Sequence, residues 1–159
     1  MAVLKTDYET IVAQIKAFGE DEPHFVPFFS NISAILWQNM EDLNWAGFYL
    51  VTKEDDLVLG PFQGKVACIH IAKGKGVCGT AFEKKEQVLV KNVHDFAGHI
   101  ACDEASLSEV VTPIFDKEGN IRAVLDIDSP SLERFSKEDG EGLCKICKAI
   151  SECTDWRLQ

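Results

Sequence analysis

Glu109–Ile127 reads EVVTPIFDKEGNIRAVLDI. Two apolar runs, Glu109–Phe115 and Ile121–Ile127, flank the turn DKEGN, and this pattern predicts a β-hairpin. Further strand candidates lie upstream. NWAGFYLV (Asn44–Val51) is rich in aromatic and branched residues. LVLGPFQG (Leu57–Gly64) carries Pro61, which suits a short or edge strand. VACIHI (Val66–Ile71) and QVLV (Gln87–Val90) follow, separated by a short helix, Gly76–Lys85, that opens after the Gly-rich KGKG. Helices bound the set. The first is predicted to start at Thr6, with Thr6 and Glu9 as a capping box, and places Tyr8, Ile11, Val12, Ile15 and Phe18 at helical spacing. A second spans Pro27–Glu41, with Pro27 in its first turn. Ser136 and Asp139 cap a last helix with Leu143, Ile146, Cys147 and Ile150 on one face. Adjacent short strands with helices at both ends predict an α+β fold, a central antiparallel sheet of about six strands with flanking helices from both termini. The 159 residues contain no repeat or linker, and 1–159 reads as one domain able to bury a real core.

Composition narrows the partners. A net charge of −10 argues against nucleic acid and against anionic membrane surfaces. No apolar run approaches the roughly 20 residues that span a bilayer. The N-terminal MAVLKTDYETIVAQIKAF is amphipathic, contains acids and has no signal-peptide core. A soluble, cytoplasmic protein is expected. Its six cysteines (Cys68, Cys78, Cys102, Cys144, Cys147 and Cys153) are then expected to be reduced at rest.

Position separates these thiols. Cys102 lies in HIACDEASLSE, within the long connection Lys91–Leu107, and connections of that length are commonly functional. A reactive thiol and a small buried hydrophobe both fit it. Asp103 and Glu104 would raise its pKa if they sat close, which works against a thiolate. Cys78 sits between glycines in GKGVCGTAF. The amides of Val77, Cys78 and Gly79 at the start of a short helix would suit an anion such as a carboxylate, although an ordinary glycine turn reads the same. Cys68 lies in a predicted strand, where a thiol is more often core than redox group. CKIC (Cys144, Cys147) falls well inside the last helix and reads as structural. His94, His99 and Cys102 could supply three metal ligands but no fourth, so neither metal nor cofactor is expected.

Asp126 and Asp128 alternate on one face of their strand, and Leu125 and Ile127 point the other way. Glu109 opens the partner strand and joins them only if the register is right, since a one-residue slip turns it away. Clustered, partly buried carboxylates raise one another's pKa. One then stays protonated and can donate to a substrate oxygen. Trp45, Gly47 and Tyr49 share one face of Asn44–Val51. Two rings with a gap between them would make a slot for a small apolar group, or simply core.

The blocks WAGFYLV, GPFQGKVACIHIAKGKGVCGTA and HIACDEASLSEVVTPIFDKEGNIRAVLDIDSP resemble the free methionine-(R)-sulfoxide reductases, stand-alone GAF-domain enzymes. The similarity covers nearly the whole chain. It implies a GAF-like fold and reduction of free methionine-(R)-sulfoxide, with Cys102 attacking the sulfoxide sulfur. Cys102 would become a sulfenic acid and close a disulfide with Cys68, the main resolving thiol, or with Cys78. The resemblance also implies that Glu109, Asp126 and Asp128 hold and polarise the sulfoxide oxygen, that Trp45 and Tyr49 enclose the methyl end, and that thioredoxin restores the thiols. It allows a homodimer. His70 stands where the family pattern leads us to expect arginine. Two other functions use parts of the same pattern: a non-catalytic GAF sensor for a small ligand, and a thiol switch. A pure switch has no use for the acid cluster.

Overall fold

The computed structural model describes residues 5–100 and 102–158. Its core is a six-stranded antiparallel sheet in the order β3-β2-β1-β6-β5-β4. The strands are β1 (Trp45–Val51), β2 (Leu57–Gly64), β3 (His70–Ile71), β4 (Val88–Val90), β5 (Ser108–Phe115) and β6 (Ile121–Ser129). The helices are α1 (Tyr8–Gly19), α2 (Phe25–Asn39), α3 (Gly76–Lys84) and α4 (Lys137–Cys153). This is the α+β arrangement expected from the hairpin outward, and β5 and β6 are joined by the predicted turn.

Period-2 alternation divides the sheet into two faces. Ala46, Phe48, Val110, Ile114, Ala123, Leu125 and Ile127 pack under α1, α2 and α4, against Ile11, Ile15, Phe29, Ile32, Leu36, Ile146 and Ile150. Trp45, Tyr49, Val111 and Val124 form the opposite face, where α3 contributes Val77, Cys78, Ala81 and Phe82. The helices from both termini therefore share one side, and the inserted α3 packs on the other, with Val93 and Phe96 of the following loop.

Three boundaries differ from expectation. Asp7, not Thr6, caps α1: its carboxylate accepts from the Thr10 amide at 3.0 Å and the Thr10 hydroxyl at 2.7 Å. An aspartate one residue later offers the same N-cap chemistry, which makes a shift of one position easy. Helix α2 begins at Phe25, so Pro27 is its third residue. Proline is tolerated there because first-turn amides have no intrahelical acceptor. In VACIHI only His70 and Ile71 join the sheet. The residues before them are held by other donors: Trp45 Nε1 reaches the Lys65 carbonyl at 3.1 Å, Tyr49 Oη the Cys68 carbonyl at 2.9 Å, and the Leu59 amide the Ile69 carbonyl at 2.8 Å. Because β3 pairs only Leu57 and Val58, Pro61 of β2 lies on a free edge, where its missing amide costs no ladder bond.

Candidate active site

The register that sequence left open brings the acids together. Glu109 stands opposite Asp128, and Val111 opposite Asp126, so all three carboxylates project from the α3 side of the sheet. They line one cavity of about 30 Å³ with Cys102, Cys78, Val77, Trp45, Tyr49 and His99. The helix opposite supplies Cys78. Its Sγ, a Glu109 oxygen and an Asp126 oxygen lie within 4.8 Å of one another.

These groups are crowded and largely buried. Glu109 and Asp126 are each only 6% exposed. Burial pushes the Glu109, Asp126 and Asp128 carboxyls well above the ordinary range, and their mutual repulsion adds to it. Asp126 Oδ1 and Asp128 Oδ1 are buried with no hydrogen-bond partner. Such oxygens are costly as charges, so protons held within the Glu109–Asp126 pair are the consistent description. Burial also pushes the Cys78 thiol far up, with the neighbouring acids adding to the effect. Cys78 is therefore a thiol, not a thiolate. His99 Nε2 lies 3.5 Å from Glu109 Oε2, and burial lowers the imidazole pKa.

Cys102 is bonded to Cys68, with their Cα atoms 5.9 Å apart. Both are partly exposed, whereas Cys78 is buried and free. Of the two candidate partners for Cys102, the bond is to Cys68. Asp103 lines the same cavity but is engaged by other donors: its carboxylate accepts from the Ala105 amide at 2.9 Å and from Asn44 Nδ2 at 3.0 Å, and these bonds hold its pKa low.

The expected anion cradle at α3 is narrower than the spacing implied. Gly79 does not line the cavity, and its amide already donates to the Lys75 carbonyl at 2.9 Å, because Gly79 is where the i→i−4 ladder starts. Among the described residues the amides of Val77 and Cys78 have no such acceptor. The aromatic pair also differs. Trp45 and Tyr49 stack with centroids 5.9 Å apart, and Phe62 stacks on Trp45 at 5.1 Å. A Cβ at Gly47 would meet Phe62 Cα at 2.7 Å and the Pro61 carbonyl at 2.8 Å. The gap at Gly47 is thus filled by β2, and the rings form a wall and not a slot. His94 is exposed and outside the cavity, so His94, His99 and Cys102 do not form one cluster. His70 is exposed on β3 and also outside it. Cys144 and Cys147 lie inside α4, one exposed and one buried, away from these groups.

Sequence reasoning passed over Asn44 and Ser106. Asn44 Nδ2 donates to Asp103 Oδ2 at 3.0 Å and to Ser106 Oγ at 2.9 Å. Ser106 Oγ then donates to Asp128 Oδ2 at 3.1 Å. A polar chain thereby ties the loop that carries Cys102 to one carboxylate of the cluster. Neither residue belongs to a periodic pattern or a motif, so only the folded register reveals the chain.

Comparison with known proteins identifies the family of this fold. The sequence profile of the GAF domain matches residues 29–151. The free methionine-R-sulfoxide reductase of Escherichia coli is 48% identical over 145 residues, covering 91% of this chain and 87% of the relative. The structure of fRMsr of Staphylococcus aureus in complex with substrate superposes with a TM-score of 0.89 at 45% identity, covering 96% of this chain and 99% of the other. That of free methionine-R-sulfoxide reductase from Neisseria meningitidis in complex with its substrate gives 0.88 at 37% identity, covering 96% and 93%.

Proposed function

The chain belongs to the GAF domain family and, within it, to the free methionine-R-sulfoxide reductases, and from that premise we propose how it turns over. The substrate is free methionine-(R)-sulfoxide. Reduction needs a nucleophile at sulfur and a proton at oxygen. Cys102, as the thiolate, attacks the sulfoxide sulfur. The protonated members of the Glu109–Asp126–Asp128 cluster donate to the sulfoxide oxygen and make the sulfur more electrophilic. The oxygen passes to Cys102, methionine leaves, and Cys102 is left as a sulfenic acid. Cys68 then attacks that sulfur. Water departs with the oxygen, and a disulfide joins the two. Two thiols have been oxidised and one sulfoxide reduced. Thioredoxin, a dithiol, reverses the bridge. Trp45 and Tyr49 face the methyl end, and the Val77 and Cys78 amides receive the carboxylate.

The observation that carries this reading is the convergence of one half of a disulfide and three crowded carboxyls on the same cavity. No helix among the described residues is long and apolar enough to cross a membrane. One domain working in the cytoplasm, where a dithiol pool keeps Cys78, Cys144, Cys147 and Cys153 as thiols, completes the proposal.

The test mixes protein, free methionine-(R)-sulfoxide and a dithiol, and measures methionine. Absence of methionine would remove the reductase reading and leave ligand sensing. Within that assay Asn44→Ala is expected to lower turnover about tenfold, the scale of one or two lost buried hydrogen bonds. Amide exchange in residues 102–107 should quicken at the same time. An unchanged rate would mean that Asn44 does not position the loop.

A further inference from the structure

Three of the seven exposed large apolar side chains among the described residues lie beside the disulfide. Val66 is 87% exposed, Ile69 is 61% exposed and Ile100 is 37% exposed. The first two flank Cys68, and the third lies two residues before Cys102. This exposure is built in. The carbonyls of Lys65, Cys68 and Ile69 are each held by a donor from the sheet, so the backbone cannot rotate to bury Val66 or Ile69. Charge departs from the average as well. The chain carries −10 overall, yet on the Cys68 side of the bridge residues 57–82 contain no Asp or Glu, and Lys65 and Lys75 are exposed there; the acids Asp103 and Glu104 lie on the Cys102 side. Grouped apolar side chains on a fixed backbone are the usual mark of a contact surface.

We propose that Val66, Ile69 and Ile100 form the docking surface for the protein dithiol that reduces the Cys68–Cys102 bridge, its contacting rim apolar with acidic groups outside. This rests on the recycling step proposed above. The occupant follows from the place: whatever seats on this patch has its atoms against a disulfide that must be opened in every cycle. A thiolate of the partner attacks Cys68 Sγ, forming an intermolecular disulfide and expelling the Cys102 thiolate. The partner's second thiol then attacks the mixed disulfide and expels the Cys68 thiolate. The partner leaves oxidised by two electrons, and this chain leaves as a dithiol.

Ile69→Asp tests the idea, because Ile69 does not line the cavity and its side chain is mostly in water. Turnover is measured twice, once with dithiothreitol and once with thioredoxin, its reductase and NADPH. The expected result is a fall of about tenfold or more in kcat/KM for thioredoxin, the range of a central interface contact, with dithiothreitol-driven turnover unchanged. Ile69→Ser should show a smaller fall. Equal rates with thioredoxin for Ile69→Asp and the parent, or an equal loss with both reductants, would overturn the docking surface. A parent protein that turns over with dithiothreitol but not with thioredoxin would overturn the recycling step itself.

Discussion

Cys102→Ser is expected to stop methionine formation, with a loss of at least about 10⁴-fold in turnover, the scale seen when a covalent nucleophile is removed. The hydroxyl that replaces the thiol is a poor nucleophile towards sulfur, and it cannot become a sulfenic acid. Loss of rate alone would not distinguish a nucleophile from a structural residue, so Cys68→Ser is the companion. That variant keeps the attacking thiol and loses the resolving one. It should form about one methionine per protein in a burst and then stall with thioredoxin, because no bridge remains to be opened. Peptide mapping without reductant should recover the Cys68–Cys102 pair only in the parent. Turnover by Cys102→Ser equal to that of the parent would show that another group attacks the sulfoxide. Cys78 is a weak candidate for that part. It is buried, and both burial and the adjacent carboxyls keep its proton on sulfur.

Asp126→Asn should have the second largest effect, and with opposite signs for rate and stability. The amide cannot deliver a proton to the sulfoxide oxygen, so turnover should fall by about 10²–10³-fold, within the range for loss of a general acid. Stability should move the other way. Burial, and then the neighbouring Glu109, raise the folded-state pKa of Asp126 well above its unfolded value, which is about 3.9. Between those two values the native state binds more protons than the unfolded chain, and stability falls as pH rises. The contribution is fully present below about pH 4 and is lost as pH climbs through the raised folded pKa. The substituted amide has no such proton to lose. The melting temperature of Asp126→Asn should therefore decline less steeply from pH 5 to pH 9 than that of the parent, and exceed it at the alkaline end. Asp128→Asn should repeat the trend. Unchanged rates for both variants would mean that the carboxyls do not supply the proton.

The sequence carried much of this arrangement for identifiable reasons. The hairpin around DKEGN was legible because alternation and turn chemistry agree there. The shared face of Asp126 and Asp128 follows from the two-residue repeat of any strand. Joining Glu109 to them was a matter of register, which no local signal supplies. VACIHI looked like a strand throughout, but the carbonyls of Lys65 and Cys68 are held by the Trp45 and Tyr49 side chains about 20 positions away, and composition cannot show that. The gap at Gly47 seemed open only because its occupant, Phe62, comes from a strand whose pairing with β1 shifts beside it. Gly79 shows a subtler limit. Counting glycines located a helix start, but which amides remain unpaired depends on the residue at which the first turn closes.

The bridge between Cys68 and Cys102 also joins points 34 positions apart in the chain. A tether of that length removes enough freedom from the denatured ensemble to favour the native form by about 4 kcal/mol. On the proposed cycle, catalysis would alternate between a looser, electron-rich protein and a sturdier, electron-poor one. When reductant runs short, that cycle would leave molecules in the bridged, more stable form until resupply.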